Sequence, residues 1–218
     1  MGEDFNRLHP KIQERFGFSS ADGIAAIGTG VMENVWHGPF YVLPFLWIGT
    51  WRRIMFPEIG VDVPFTIQNY AYLDGFHRET VTWVRTFQVK KRRRFDATMI
   101  YSPQRRLIVD YLGSHQHLAV DIMLSVDEET KGLRLRSGEQ RFYEGAIGFK
   151  FPLLFSGIAD VCEWYDEKSD KFRIKVIVSH SHLGPLFGYE GSFDVVWTKN
   201  DPEQIPSLVK PVREEIRE

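Results

Sequence analysis

Apolar and polar residues alternate one for one through most of the chain beyond Pro64. In "ETVTWVRTFQV" the face Val81, Trp83, Phe87, Val89 is apolar, and Arg85 interrupts it. In "KFRIKVIV" Phe172, Ile174, Val176 and Val178 share a side. In "GSFDVVW" Phe193, Val195 and Trp197 do the same. A period of two places such residues on one face of a strand. Strands are therefore predicted near 64–72, 79–89, 94–102, 105–112, 116–126, 132–143, 159–167, 171–180 and 190–198. The joints between them are legible as turns: Asp-Gly in "LDGFH", proline in "SPQR", the charged loops "DEETKG" and "DEKSDK", and "LGPLFG".

The pattern before Pro64 differs. Phe5, Leu8, Ile12 and Phe16 keep a spacing of three to four, which predicts a helix over 5–16 with Asp4 as its cap and Gly17 as its stop. "GTGVMENVWHG" (28–38) predicts a first strand. Pro39 predicts the start of a helix running to about Met55, with Arg52 and Arg53 in its last turn. The tail from 202 to 218 carries the stripe Ile205, Leu208, Val209, Val212, Ile216, which predicts a short helix kinked at Pro211.

Many antiparallel strands on short loops must hide their edges. The expected fold is mainly β: a strongly curved sheet or barrel of about eight to ten strands, with the 39–55 helix across one face or mouth and short terminal helices. Two known architectures fit, a calycin-like barrel and a helix-grip sheet. The break at Pro211 favours the calycin-like barrel. At 218 residues the chain is expected to be one domain, 1–218.

Composition adds three constraints. Aromatics make up 14 % of the chain, which suits strands and apolar cavities. A net charge of −2 argues against nucleic acid as a partner. The single cysteine, Cys162, and a charged start without the apolar core of a signal peptide point to a reducing, cytoplasmic setting. The longest apolar run, "GPFYVLPFLWIGTW", is too short to span a bilayer and reads as a buried or interfacial helix.

The order of "WVRTFQ", "RRFDATM", "VDYLG", "GLRLRSGEQRFYEG", "FKFPLLFSGIADVCEWYD", "FRIKVIV" and "GPLFGYEGSF" resembles the bacterial YndJ-like C-terminal domain family, over about 28–197. The resemblance implies the stand-alone form of a module of unknown function, with no activity or cofactor to carry over.

Candidate chemistry falls into four groups. "HQH" (His115, His117) and "HSH" (His180, His182) each place two imidazoles on one side of a strand, and Asp121, Glu163 or Glu190 would complete a metal site; the bland reading is a wet strand end. Arg85, Arg141 and Glu163 are charges within apolar strands. With Trp83, His115, His117, Asp121 and Tyr189 they are the candidate ligand-binding residues of an apolar pocket with convergent polar anchors, or else they pair with one another. "KKRRRFD" (90–96) reads as a solvated hairpin turn. "AIGFKFPLLFSGIA" (146–159) reads as a lid, a plug or a core crossover. No nucleophile elbow, phosphate loop, Cys-x-x-Cys or His-Glu-x-x-His occurs.

Three functions follow. The leading one is a non-catalytic binding module for a hydrophobic or amphipathic small molecule, with no cofactor. The second is a metal-dependent enzyme using His115 and His117. The third is an interaction or scaffold domain. They differ in requiring an empty apolar volume, three or more clustered ligands, or a packed interior with an exposed apolar patch.

Overall fold

In a computed structural model, which describes residues 1–151, 157–202 and 204–218, the alternating segments form one antiparallel sheet closed into a barrel. Its strands are β1 (Ile24–His37), β2 (Gly60–Leu73), β3 (Glu79–Gln88), β4 (Arg92–Ser102), β5 (Leu107–Leu112), β6 (Leu118–Val126), β7 (Leu133–Glu144), β8 (Ile147–Phe151), β9 (Ile158–Asp166), β10 (Lys171–His180) and β11 (Gly184–Lys199). The order is β6-β5-β4-β3-β2-β1-β11-β10-β9-β7, and a β6–β7 pairing closes ten of them into a ring. The expected calycin-like barrel agrees with this closure.

The ring has one irregular joint. β7 pairs with β9 only through Leu133–Arg136, and its far half pairs instead with β8. At the parting, side chains continue the ladder. Ala159 N donates to Ser137 Oγ at 2.7 Å, and Gln140 Nε2 donates to the Gly157 carbonyl at 2.8 Å.

The interior follows from the pleat. Arg85 lies opposite Phe95 and Ile67, and Ile174 lies opposite Glu163 and Gly191, so these side chains point inward. Gly28 is required on this face, because a Cβ there would stand 2.5 Å from Ile67 and 2.8 Å from Phe193. One half of the barrel is filled by Phe56, Phe65, Phe87, Phe187 and Tyr189, with ring centroids about 5.0 Å apart for Phe56–Phe87, Phe56–Phe187 and Phe65–Phe87. Offset aromatic packing of this kind adds roughly 0.5–1.5 kcal/mol per pair beyond burial.

Each end has a helical cover. The predicted 5–16 helix divides into a 3-10 turn (Gly2–Arg7) and α1 (Pro10–Phe16). Pro10 is the reason: it lacks the N–H needed inside a helix and suits the first turn, and His9 Nδ1 accepts from Lys11 N at 3.2 Å. At the other end the predicted 39–55 helix is shorter, a 3-10 turn (Phe40–Val42) followed by α2 (Leu43–Trp51). Arg52 and Arg53 fall just outside it, and Arg53 at φ 58° turns the chain away.

Other expectations change. "LGPLFG" is the opening of β11 rather than a free turn, and Ile147–Phe151 forms β8, where no strand was expected. Residues 152–156, the centre of the proposed lid, lie outside the described residues. The tail forms no helix among its described residues. Pro206 and Pro211 break the stripe, and the chain runs as a strap over the outer wall. Ile205 and Val209 pack there on Tyr72 and Val84, while Leu208, Val212 and Ile216 stay exposed. Arg78 secures the strap, donating to the carbonyls of Glu215 (2.8 Å) and Ile216 (3.3 Å), and Tyr111 Oη donates to that of Arg217 (2.9 Å).

Candidate binding cavity

The half of the barrel beneath α1 is not filled. A cavity of about 380 Å³ opens there between the N-terminal segment and the inner wall. Phe5, Phe16, Val81, Trp83, Met99 and Leu135 supply apolar lining, Arg15 and Asn69 supply buried polar groups, and Glu79 adds a carboxylate. Ligand sites in proteins commonly begin at about 300 Å³, with mostly apolar walls and few polar groups. A second, smaller cavity of about 50 Å³ lies deeper, beside Arg85, Asp110 and Ser137. Trp83, Met99 and Leu135 border both.

Charged groups sit where the two cavities approach each other. Arg15 Nε donates to Glu163 Oε1 at 2.7 Å, with both side chains fully buried. Burial raises the Glu163 carboxyl above the ordinary glutamate range, against the pull of Arg15. Arg85 Nη1 donates to Tyr189 Oη at 3.1 Å and its Nε to the Phe95 carbonyl at 3.3 Å. The same guanidinium stacks 3.9 Å from the Phe95 ring centroid and 5.6 Å from that of Trp83. Asp110 is pushed up to about 7 by burial, opposed by Arg85.

These groups leave hydrogen-bonding capacity unused. Arg15 Nη1 and Nη2, Glu163 Oε2, Asn69 Oδ1 and Asp110 Oδ1 are buried without a protein partner. A buried polar atom without a partner costs about 1–3 kcal/mol. Four of these five atoms belong to residues that line the two cavities, where water or a bound molecule can supply the missing partners.

The candidate residues read from the sequence divide accordingly. Trp83, Arg85, Glu163 and Tyr189 converge in the lumen. Arg141 and Asp121 face outward instead. Asp121 accepts from Arg141 Nη2 and Arg105 Nη2, each at 2.6 Å, and Glu139 joins the cluster. Burial raises the Asp121 carboxyl, but the two arginines outweigh it and hold it below its usual range.

His115 and His117 lie in the β5–β6 turn rather than on the expected strand, because Gln116 at φ 52° breaks the extension. Their rings stack 5.6 Å apart. His117 Nδ1 contacts the Tyr143 carbonyl (3.0 Å) and Glu144 (2.8 Å), and His115 Nδ1 contacts Ser114 Oγ (3.0 Å). Burial, then Arg52, holds His115 below the ordinary histidine value. His180 Nδ1 accepts from the backbone N–H groups of His182 (3.1 Å) and Leu183 (3.2 Å), shaping the turn before β11. Among the described residues no group of three or more His, Cys, Asp or Glu is placed to hold a metal ion.

Arg15 and Asn69 are the site residues that the alternation did not single out. A signal for Arg15 was present: it stands three residues after Ile12, on the stripe that buries α1, where an apolar residue belongs. Asn69 likewise falls on the inward face of β2 with Phe65, Ile67 and Ala71.

Comparison with known proteins supplies a family. Residues 8–193 match the family model described as "Domain of unknown function (DUF4166)". "Uncharacterized protein YndH" of Bacillus subtilis (strain 168) is 36 % identical over 191 residues, which cover 87 % of this chain and 92 % of that protein. No solved structure gives a significant match.

Proposed function

We propose a lumenal ligand for this chain, which belongs to the DUF4166 family of unknown function. The ligand is a hydrophobic or amphipathic small molecule, and the role is binding rather than catalysis. One observation carries the reading: an apolar cavity of about 380 Å³ into which Arg15 and Asn69 bring unpartnered polar atoms. The apolar body of the ligand lies against Phe5, Val81, Trp83 and Leu135. Its polar end accepts from Arg15 Nη1 and Nη2. Glu163 orients Arg15 through their hydrogen bond, and Arg85, held by Tyr189, supports the inner wall.

Membership is read more narrowly as YndJ-like, because "WVRTFQ" and "GPLFGYEG" form the lumen-lining parts of β3 and β11. The single cysteine supports a cytoplasmic setting, and the chain is read as one domain throughout.

The test is native mass spectrometry of the purified protein against its denatured mass, followed by titration with a fluorescent polyene fatty acid. A discrete excess mass lost on denaturation, or saturable probe binding, is expected. A native mass equal to that of the bare chain together with no saturable binding overturns the reading.

A further inference from the structure

We propose that the α2 end of the barrel docks peripherally on a bilayer rich in anionic phospholipid. This goes beyond the lumenal reading and does not depend on it.

The first observation is an uncovered helix. α2 is apolar throughout except for Thr50. A helix apolar all round is normally enclosed, yet only Leu46 and Gly49 of α2 are buried. Phe45, Trp47, Ile48 and Trp51 are exposed, Trp51 by 75 %, and Phe40 just before the helix by 80 %. Ile59 and Val61, on either side of the first residue of β2, are exposed as well. Trp, Phe and Ile on the outer side of a short helix are the residues that enter the headgroup and upper acyl region of a membrane. No helix of the described residues is long and apolar enough to cross one, so the fit is to lying on the surface.

The second observation is charge. Residues 38–62 and 90–96 together hold seven basic and three acidic residues in a chain of net charge −2, so the positive charge is concentrated at this end. Glu58 pairs with Arg93, and Asp96 with Arg94 and Arg53. Lys90 and Lys91 in the β3–β4 turn and Arg92 at the start of β4 are exposed and make no ion pair among the described residues. The charges and the helix are contiguous. Arg93 lies 6.0 Å from the Trp47 ring centroid, and Arg52 lies 4.2 Å from that of Trp51. Thr50 of α2 and Arg93 also border a surface recess of about 340 Å³, whose other lining residues are Arg53, Arg92, Arg94 and Leu208. Four arginines around a recess beside an apolar helix suit a lipid phosphate whose acyl chains lie against α2.

A second copy of the chain fits less well. A two-fold contact through this patch sets the unpaired Lys90, Lys91 and Arg92 near their own images.

The test uses the full chain and vesicle flotation. Wild type is expected to float with phosphatidylcholine vesicles containing about one-third phosphatidylglycerol, to stay behind with pure phosphatidylcholine, and to be released by high salt. Two variants change only exposed side chains: F45S/W47S/I48S/W51S and K90S/K91S/R92S. Each is expected to lose at least tenfold in vesicle affinity while keeping the wild-type circular dichroism spectrum. Tryptophan emission should shift to the blue on anionic vesicles. V81W, which obstructs the lumen, should float like wild type, so a failed lumenal ligand and a failed docking surface give different results. Absence of flotation on anionic vesicles overturns the proposal, as does unchanged flotation of the α2 variant. A concentration-dependent dimer abolished by that variant assigns the patch to a second copy and overturns it too.

Discussion

The guanidinium of Arg15 and the carboxyl of Glu163 meet at 2.7 Å inside the barrel, and neither side chain reaches solvent. The pair joins the N-terminal cover to β9 and fixes the polar end of the cavity. Removing one member of such a pair leaves the other buried and uncompensated, at a cost of about 3–5 kcal/mol. Arg15→Met is therefore expected to lower the urea-denaturation free energy by that amount, and Glu163→Leu added to it should restore most of the loss. A cost for Arg15→Met below about 1 kcal/mol would mean that the pair holds nothing together.

Asp110 makes stability depend on pH with a definite sign. Burial raises its carboxyl from 3.8 to about 7 in the folded barrel. Between those values the folded state holds a proton that the unfolded state has released, so stability falls as pH rises through this window and stays lowered above it. Glu163 contributes in the same direction. The limiting slope per group is about 1.4 kcal/mol per pH unit. Asp110→Asn should flatten the profile and be more stable than wild type at pH 8, with little difference at pH 4. Thermal melts across that range check it, and parallel profiles for the two proteins would reject it.

The C-terminal strap is expected to be part of the folded wall. Ending the chain after Asn200 uncovers Tyr72 and Val84 and removes the carbonyls bonded by Arg78 and Tyr111. Tyr72, buried beneath it, is pushed up to about 12 by that burial. The truncated protein should melt at least 10 °C lower, since roughly 1 kcal/mol shifts the midpoint of a domain this size by 2–4 °C. Spectrophotometric titration should show Tyr72 ionising nearer the ordinary tyrosine value. An unchanged melting point would show the strap to be an ornament.

Filling the cavity separates a ligand site from a packing defect. Val81 is half-buried on the cavity wall. Val81→Trp should leave the melting temperature within a few degrees of wild type and abolish binding of the polyene fatty acid. Tyr189→Phe instead removes the hydroxyl that accepts from Arg85 and should cost about 1.5–3 kcal/mol in stability. If Val81→Trp binds the probe as wild type does, the probe sits elsewhere.

Much of the wall was legible because its signal is local. The alternation through Trp83, Arg85 and Phe87 assigns β3 and the inward direction of Arg85, and the structure places both as expected. Signals that depend on partners were not legible. Asp121 and Arg141 look like lumenal charges until the β6–β7 register sets Arg141 opposite Ala119 on the outer wall. The tail's apolar spacing is helical, but its two prolines and the outward-facing Tyr72 of β2 and Tyr111 of β5 make an extended strap the better cover. Ile147–Phe151 lacks a decisive period and became a strand because the far half of β7 was free to pair with it.

That divided strand has a consequence for how the protein can change over generations. Most joints of the ring are backbone ladders, which tolerate almost any side chain. Where β7 leaves β9, the described side-chain bonds of the joint come from Ser137 and Gln140. Two codons thus bear on whether the wall stays sealed at that point. A lineage needing side access to the lumen would loosen these two positions first, and a lineage needing a tight vessel would keep them.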